Sequence, residues 1–456
     1  MNRPVHWGIV GGGLLGMTLA WDLARGGDRV SLFEAGSEPG GLASAWRIGD
    51  VTWDRHYHVT LASDTSLRRL LSELGLEHGM QWRTASTGFY FGGRLYPFSG
   101  ALDFARFPLL TPLQKLRFGL GIRRAANLTS PKEIESLTVE EWLTRISGRD
   151  VFEKMWRPLL RAKLGDDYRT TSATFIWATI RRMFAARRSG LKKERFGYLP
   201  GGYSAMLTAY WNALKNAGVQ VHVNAAVQEI TASGGQTEIR FAGGGVRQFD
   251  RVIVTAPGPI AARLCPQLSA EEAHSLRSVE YLGIVCVSLL LSHPLSRFYI
   301  TNISDASVPL TGVIEMSALV DREMFHGHSL VYLPRYARPD DPVFQKTDSE
   351  ISAEFIAALR KLHPGVEDQH ILACRVSRAA HVFPRPVATR AGRDLPPVDT
   401  SVPGIHLLNS AHIEYGTLNV NETVQLARKH TWRLHELARR DRQPADAARL
   451  HVVARS

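Results

Sequence analysis

The sequence predicts an α/β fold: a doubly wound, Rossmann-like domain interleaved with a mixed-sheet domain that carries a helical insertion. Three observations predict it. Residues 5–34 read strand, glycine turn, helix, strand. Residues 101–196 are helical in pattern and broken at Pro108, Pro112, Pro131 and Pro158. Strand signals then return at 219–255, 281–335 and 404–408, with helical stretches between them. Alternation of this kind belongs to interleaved α/β architecture.

The elements follow in order. Val5–Val10 is an apolar strand, Leu14–Leu23 an apolar helix stopped by Gly26-Gly27, and Val30–Phe33 a second strand. Leu67, Leu70, Leu71 and Leu74 share one side of a predicted amphipathic helix over 65–76. Residues 89–96 read as a hairpin around Gly92-Gly93. A helix over 206–215 leads to strands at 219–223 and 238–241, and Arg251–Thr255 is a β-branched strand ended by Ala256-Pro257-Gly258. Helices are predicted at 350–362 and 422–437, and strands at 371–376 and 404–408.

Hydrophobic residues are 44% and charged residues 21% of the 456, which is ordinary globular composition. Cys265, Cys286 and Cys374 have neither zinc nor disulfide spacing and are expected to be buried, in a reducing compartment. No metal site is predicted. The first strand begins at Val5, which leaves no space for a signal segment, and the longest apolar run, 281–291, is too short to span a bilayer. The expectation is a cytoplasmic protein, free or peripheral on the inner leaflet. The net charge is +12, concentrated in Arg181, Arg182, Arg187, Arg188, Lys192, Lys193 and Arg195, and in a tail with Arg439, Arg440, Arg442, Arg449 and Arg455. Either a solvated face or attraction to anionic lipid accounts for it. No nucleic-acid-binding module is visible.

Gly11, Gly13 and Gly16 have the GxGxxG spacing between a predicted strand and a predicted helix. Gly11 suits the tight turn, Gly13 a close approach to a pyrophosphate, and Gly16 close helix–strand packing. Leu14 and Leu15 open the helix, whose free N–H groups attract phosphate. Glu34, followed by Ala35, ends the second strand, where a carboxylate accepts ribose hydroxyls and repels a 2′-phosphate. A glycine doublet follows in Gly40-Gly41-Leu42-Ala43, which suits a dinucleotide longer than NAD. Near the C-terminus, Asn409-Ser410 and Leu418-Asn419-Val420 precede a second helix N-terminus aimed at a ligand. FAD is the cofactor these features select.

Together, GGGLLG with Glu34, EPGGLA, DRVIVTAPG and GTLNVNETV resemble the flavin-containing amine oxidase superfamily, which embraces protoporphyrinogen oxidases, phytoene desaturases and, distantly, UDP-galactopyranose mutases. The resemblance implies an FAD-binding Rossmann-like domain, with Val227 meeting the adenine and Ala256 on the strand that returns to the nucleotide sheet. Two departures stand out: Leu42 replaces the arginine that often follows the doublet, and Asn409-Ser410 replaces a Gly-Asp pair. The sequence lacks the aromatic-cage signature of true amine oxidases, which argues against amine substrates.

The implied organisation is an FAD-binding domain from 1–85, 197–262 and 395–440, a substrate domain from 86–196 and 263–394, and a basic tail over 441–456. The implied activity is oxidation or desaturation of a small or lipid-like substrate by hydride transfer to flavin. The alternative is a non-redox, flavin-dependent sugar-nucleotide mutase. Catalytic candidates are His56 and His58, at i and i+2 on one side of an extended segment, Lys163 as a phosphate or carboxylate ligand, Glu315 as a base, and Arg378 with His381 lining the substrate pocket. Each has an ordinary structural alternative. The apolar-basic stretch over 104–120 is either core helix or a membrane-touching entrance.

Overall fold

The computed structural model describes residues 3–187, 195–388 and 397–440. Five parallel strands form the first sheet, in the order Gln220–His222, Arg29–Phe33, His6–Val10, Arg251–Val254, Ile405–Leu407. Their apolar runs are buried because both faces are covered. The helices Leu14–Arg25, Thr65–Glu73, Gly202–Asn216 and Val420–Arg440 pack on one face around Trp7, Ile9 and Leu32. The other face lies under an antiparallel sheet of Val227–Ser233, Gln236–Phe241 and Val246–Phe249, which contributes Ile230, Ile239 and Phe249.

The second sheet has seven strands, ordered Ile371–Pro384, Tyr281–Leu291, Ser329–Ala337, Gly312–Glu315, Phe298–Ile303, Ser86–Phe91, Arg94–Pro97. Only Phe298–Ile303 and Ser86–Phe91 run parallel. The long run Tyr281–Leu291 is buried along its whole length because the sheet separates two cores. Ile284, Cys286, Leu290, Ile314 and Tyr332 face Trp53 and Tyr198. Val285, Val287, Leu289, Val331 and Leu333 face the helix Asp348–Leu362 and its Phe355. The helical insertion packs Pro112–Asn127, Val139–Ser147, Arg157–Leu164 and Thr174–Arg187 around Trp142, Phe152 and Trp177.

Local chemistry explains the boundaries. Thr111 with Gln114, Thr138 with Glu141 and Thr347 with Glu350 form capping boxes that satisfy first-turn N–H groups. Gly92 and Gly93 have φ of 56° and 75°, as a two-residue hairpin turn requires. Three differences from expectation are found. Strands Val227–Ser233 and Val246–Phe249 carry too many polar residues to stand out in the sequence. The strand from Ile371 runs on to Pro384: it is the sheet's edge strand, so Arg375, Ser377, Arg378 and His381 are tolerated in it. Cys374 is only partly buried, its Sγ 3.3 Å from Ser352 Oγ.

No helix among the described residues is long and apolar enough to cross a membrane, and no cluster of three metal-ligating side chains occurs among them. Arg188, Lys192, Lys193 and the tail with Arg442, Arg449 and Arg455 lie outside the described residues, as do the side chains of Arg187, Arg439 and Arg440.

Candidate active site

The two glycine motifs meet in space. Gly40 N–H donates to Gly12 O at 2.8 Å, and Gly13 and Gly40 form a parallel bridge. A Cβ on Gly16 would sit 2.0 Å from Gly11 O, so only glycine lets the helix pack on the turn. Gly13 differs: its φ is −70° and a Cβ there would touch nothing within 4 Å. The fold itself therefore has no need of glycine at 13, and the backbone there is open to a ligand. Gly13 caps the helix without a side-chain hydrogen bond, which leaves the helix N-terminus at Leu14 and Leu15 without a capping side chain. Ser44, just past Ala43, is 7% exposed and its Oγ has no partner.

Glu34 is held by the same turn. Its Oε2 accepts from Gly12 N–H and its Oε1 from Gly36 N–H, each at 2.8 Å. A lone pair on each oxygen remains for ribose hydroxyls. Ala35 is exposed beside it, and Ala225 N–H donates to Glu34 O at 2.9 Å, which brings the start of Val227–Ser233 alongside. Leu42 is half-buried, while Ala43 belongs to the core under the sheet.

The C-terminal motif closes the cradle. Asn409 is 1% exposed; its Nδ2 donates to Ala256 O and its Oδ1 accepts from Ala411 N–H, each at 3.0 Å. Asn419 caps the last helix, accepting from Glu422 N–H at 3.0 Å, and its Nδ2 donates to Thr417. Both side chains tie the protein to itself, so the motif offers a ligand its backbone and the helix N-terminus at Val420. Asn421 Oδ1 meanwhile accepts from Ser66 and Leu67 N–H, capping the neighbouring helix.

Two helix N-termini, an open glycine, a poised carboxylate and an orphaned buried hydroxyl fit a dinucleotide. The family model for flavin containing amine oxidoreductase matches residues 16–420. The chain belongs to that family. Membership makes the cofactor a flavin, and the two-part cradle fits FAD. Coproporphyrinogen III oxidase of Staphylococcus aureus is 24% identical over 283 residues, covering 55% of this chain and 60% of that protein. The 15-cis-phytoene desaturase of an Oncidium hybrid cultivar is 24% identical over 390 residues, 80% of this chain and 65% of the relative. The chain thus spans less than two thirds of either relative's length. A provisionally assigned protoporphyrinogen oxidase of Exiguobacterium sp. 255-15 has the same fold, with a TM-score of 0.74 at 18% identity over 96% of this chain and 100% of that one.

Placed against this flavoprotein fold, the catalytic candidates separate. Strand parity decides two of them, because successive side chains point to opposite faces. Glu315 pairs with Val331 and Arg378 with Val285, both on the face under the helix Asp348–Leu362. Neither reaches the face with Tyr332 and Ile314. Glu315 is a buried clamp accepting from Leu295 and Ser296 N–H at 3.0 and 2.9 Å; burial pushes its carboxyl up to about 7. Arg378 ion-pairs with Asp348 and donates to Lys346 O, pinning that helix. Both side chains are engaged in structural contacts on that face. His381 packs 5.3 Å from the Tyr281 ring, beside a small cavity with Arg385.

The chain bends after Asp54, so His56 and His58 do not lie on one extended segment. His56 is 7% exposed with Nδ1 unpartnered, and burial, with His58 and Arg55 nearby, pushes its pKa down to about 3. It stays neutral at working pH. His58 Nδ1 lies 3.4 Å from Asp54 Oδ2, and its ring 4.7 Å from Tyr203.

Lys163 lies where the two apolar clusters meet, its Nζ 4.7 Å from the Tyr336 ring and 5.9 Å from the Phe175 ring. Tyr57 and Tyr336, which sequence reasoning missed, share a hydrogen bond at 3.2 Å. Burial and the facing Tyr336 raise the Tyr57 phenol well above its ordinary value. Tyr336 has the parity of Tyr332 and Leu330, a signal that was present in the strand.

Arg182 also departs from expectation. Its guanidinium bonds both oxygens of Asp64, at 3.3 and 2.9 Å, and Arg181 stacks on Trp177 at 5.1 Å. These two members of the basic block are engaged within the fold.

Proposed function

We propose that the protein is an FAD-dependent oxidoreductase that oxidises or desaturates an amphiphilic, lipid-like substrate. The observation that carries this is the glycine cradle, in a chain whose substrate half is rich in aromatic residues, Tyr57, Tyr332 and Tyr336 in one cluster and Phe175 and Phe383 in the next. Flavin, when bound, supplies the hydride acceptor. The chain's work is then to seat the apolar body of the substrate, to exclude water and to hold Tyr336 in place through Tyr57.

A path from a membrane is also proposed. Leu113, Leu116 and Leu120 are 58%, 59% and 45% exposed and share one side of the helix Pro112–Asn127, flanked by exposed Arg117 and Arg124. Leu102 is 74% exposed on the helix before it. An apolar stripe edged with cations suits an anionic bilayer surface. Acid extraction of purified protein should release FAD, and anaerobic mixing with candidate lipid-like donors should bleach the flavin absorbance. Release of NAD or of no nucleotide refutes the cofactor. Flotation with anionic liposomes at low salt should carry the wild type upward, and Leu113→Ser with Leu116→Ser and Leu120→Ser should leave it at the bottom.

A further inference from the structure

We infer that Tyr281 is a positioning residue for the flavin: its phenol holds two loops of the nucleotide sheet in place and ties them to the substrate sheet. The inference rests on FAD lying along the carboxyl edge of the nucleotide sheet.

The strand register defines that edge. Val10, Phe33, Val254 and Leu407 end four neighbouring parallel strands side by side. From His6–Val10 the chain passes to Arg29–Phe33 on one side, while Arg251–Val254 pairs on the other. A doubly wound sheet takes its ligand at such a reversal, beyond the carboxyl ends of its strands. The loops leaving those ends are joined to one another. Thr255 Oγ1 donates to Val10 O at 2.9 Å, beside Gly11, and Asn409 Nδ2 donates to Ala256 O at 3.0 Å.

Tyr281 enters this edge from the other half of the chain. It opens the strand Tyr281–Leu291 of the seven-stranded sheet and is 5% exposed. Its Oη accepts from Gly258 N–H at 3.1 Å and shares a hydrogen bond with the Ser410 side chain. Burial pushes the phenol up, so it stays protonated. One hydroxyl thus holds both Ala256-Pro257-Gly258 and Asn409-Ser410. The substrate half braces the ring in turn. His381 packs edge-on against it at 5.3 Å. Arg385 N–H donates to Glu280 O at 2.8 Å, and the Arg385 guanidinium donates to Thr170 and Thr171 of the insertion. A packing role would need only the ring. The hydroxyl adds a fixed link between two loops whose backbone dipoles border the cofactor, and such dipoles tune a flavin.

Tyr281→Phe keeps the ring and removes the link. Two readouts on the FAD-loaded chain test it: the FAD dissociation constant, by fluorescence of released flavin, and the two-electron midpoint potential. The variant should bind FAD about threefold or more weakly. Its potential should shift, reporting a changed preference between oxidised and reduced flavin. Ser410→Ala should move both readouts the same way and add little in the double variant, because both changes cut one link; it carries the test if Tyr281→Phe does not fold. Tyr90→Phe is the control. Tyr90 Oη donates to Lys361 O in the same sheet, away from the cradle, and its loss should leave both readouts alone. The inference is overturned if Tyr281→Phe and Ser410→Ala keep wild-type affinity and potential, if their effects simply add, or if Tyr90→Phe moves the readouts equally. Gly13→Ala separates the premise: full FAD retention there refutes the cofactor's placement, whereas a silent Tyr281→Phe beside a flavin-poor Gly13→Ala refutes only the role of Tyr281.

Discussion

Gly13 and Gly16 are alike in the sequence and opposite in what they do. A methyl group on Gly16 collides with Gly11 O, whereas one on Gly13 enters open space. Gly16→Ala should therefore destabilise the fold by about 1–3 kcal/mol. Gly13→Ala should shift stability by no more than about 0.5 kcal/mol yet lower FAD content, measured as flavin absorbance per folded chain. Equal effects on both quantities would refute the assignment of Gly13 to the ligand. The glycine turn and Glu34 were legible because their chemistry is local. The faces that Glu315 and Arg378 occupy were not legible, because the face a strand residue takes depends on which cores cover the sheet, and no single strand reveals that. Glu315 makes a pH prediction. Its carboxyl is raised from 4.5 to about 7 by burial, so the protonated form stabilises the fold below about pH 4.5, and that contribution is lost as pH rises through 7. Relative to Glu315→Gln, the wild type should lose about 1–3 kcal/mol over this window, read by urea denaturation. A flat difference across the window would count against a protonated clamp.

At the scale of elements, side chains from one segment repeatedly finish another. Asn421 of the last helix caps Thr65–Glu73, and Arg182 of Thr174–Arg187 reaches Asp64 at the same helix end. The Asp64 side chain is only 4% exposed. Arg182→Gln should cost about 1–3 kcal/mol by leaving this carboxylate unpaired, whereas Arg117→Gln on the exposed stripe should cost almost nothing. Thermal melts of the two variants separate an internal strut from a surface charge. The capping boxes of the insertion were readable as Thr followed three residues later by Gln or Glu. The partners of Arg182 were not, since 118 residues separate it from Asp64.

Over the whole molecule, the nucleotide sheet is assembled from three distant stretches of chain. Its edge strand Ile405–Leu407 pairs with Arg251–Val254, and the helix Val420–Arg440 packs against Leu14–Arg25. A chain ending at Asp399 should therefore lose both the cradle's second helix N-terminus and part of the first core; it should bind no FAD and unfold at lower urea. Retention of FAD by that truncation would show the C-terminal motif to be dispensable. The same connectivity bears on how the protein is made. The ribosome delivers Phe33 some 370 residues before Ile405, a delay of roughly 20–75 s at ordinary elongation rates. For that time the glycine turn exists without the strand and helix that complete its pocket, so the nascent chain cannot trap its nucleotide. Cofactor loading is confined to the time after the helix Val420–Arg440 has been made, and yield should depend on free FAD and chaperone capacity in the cell rather than on translation speed.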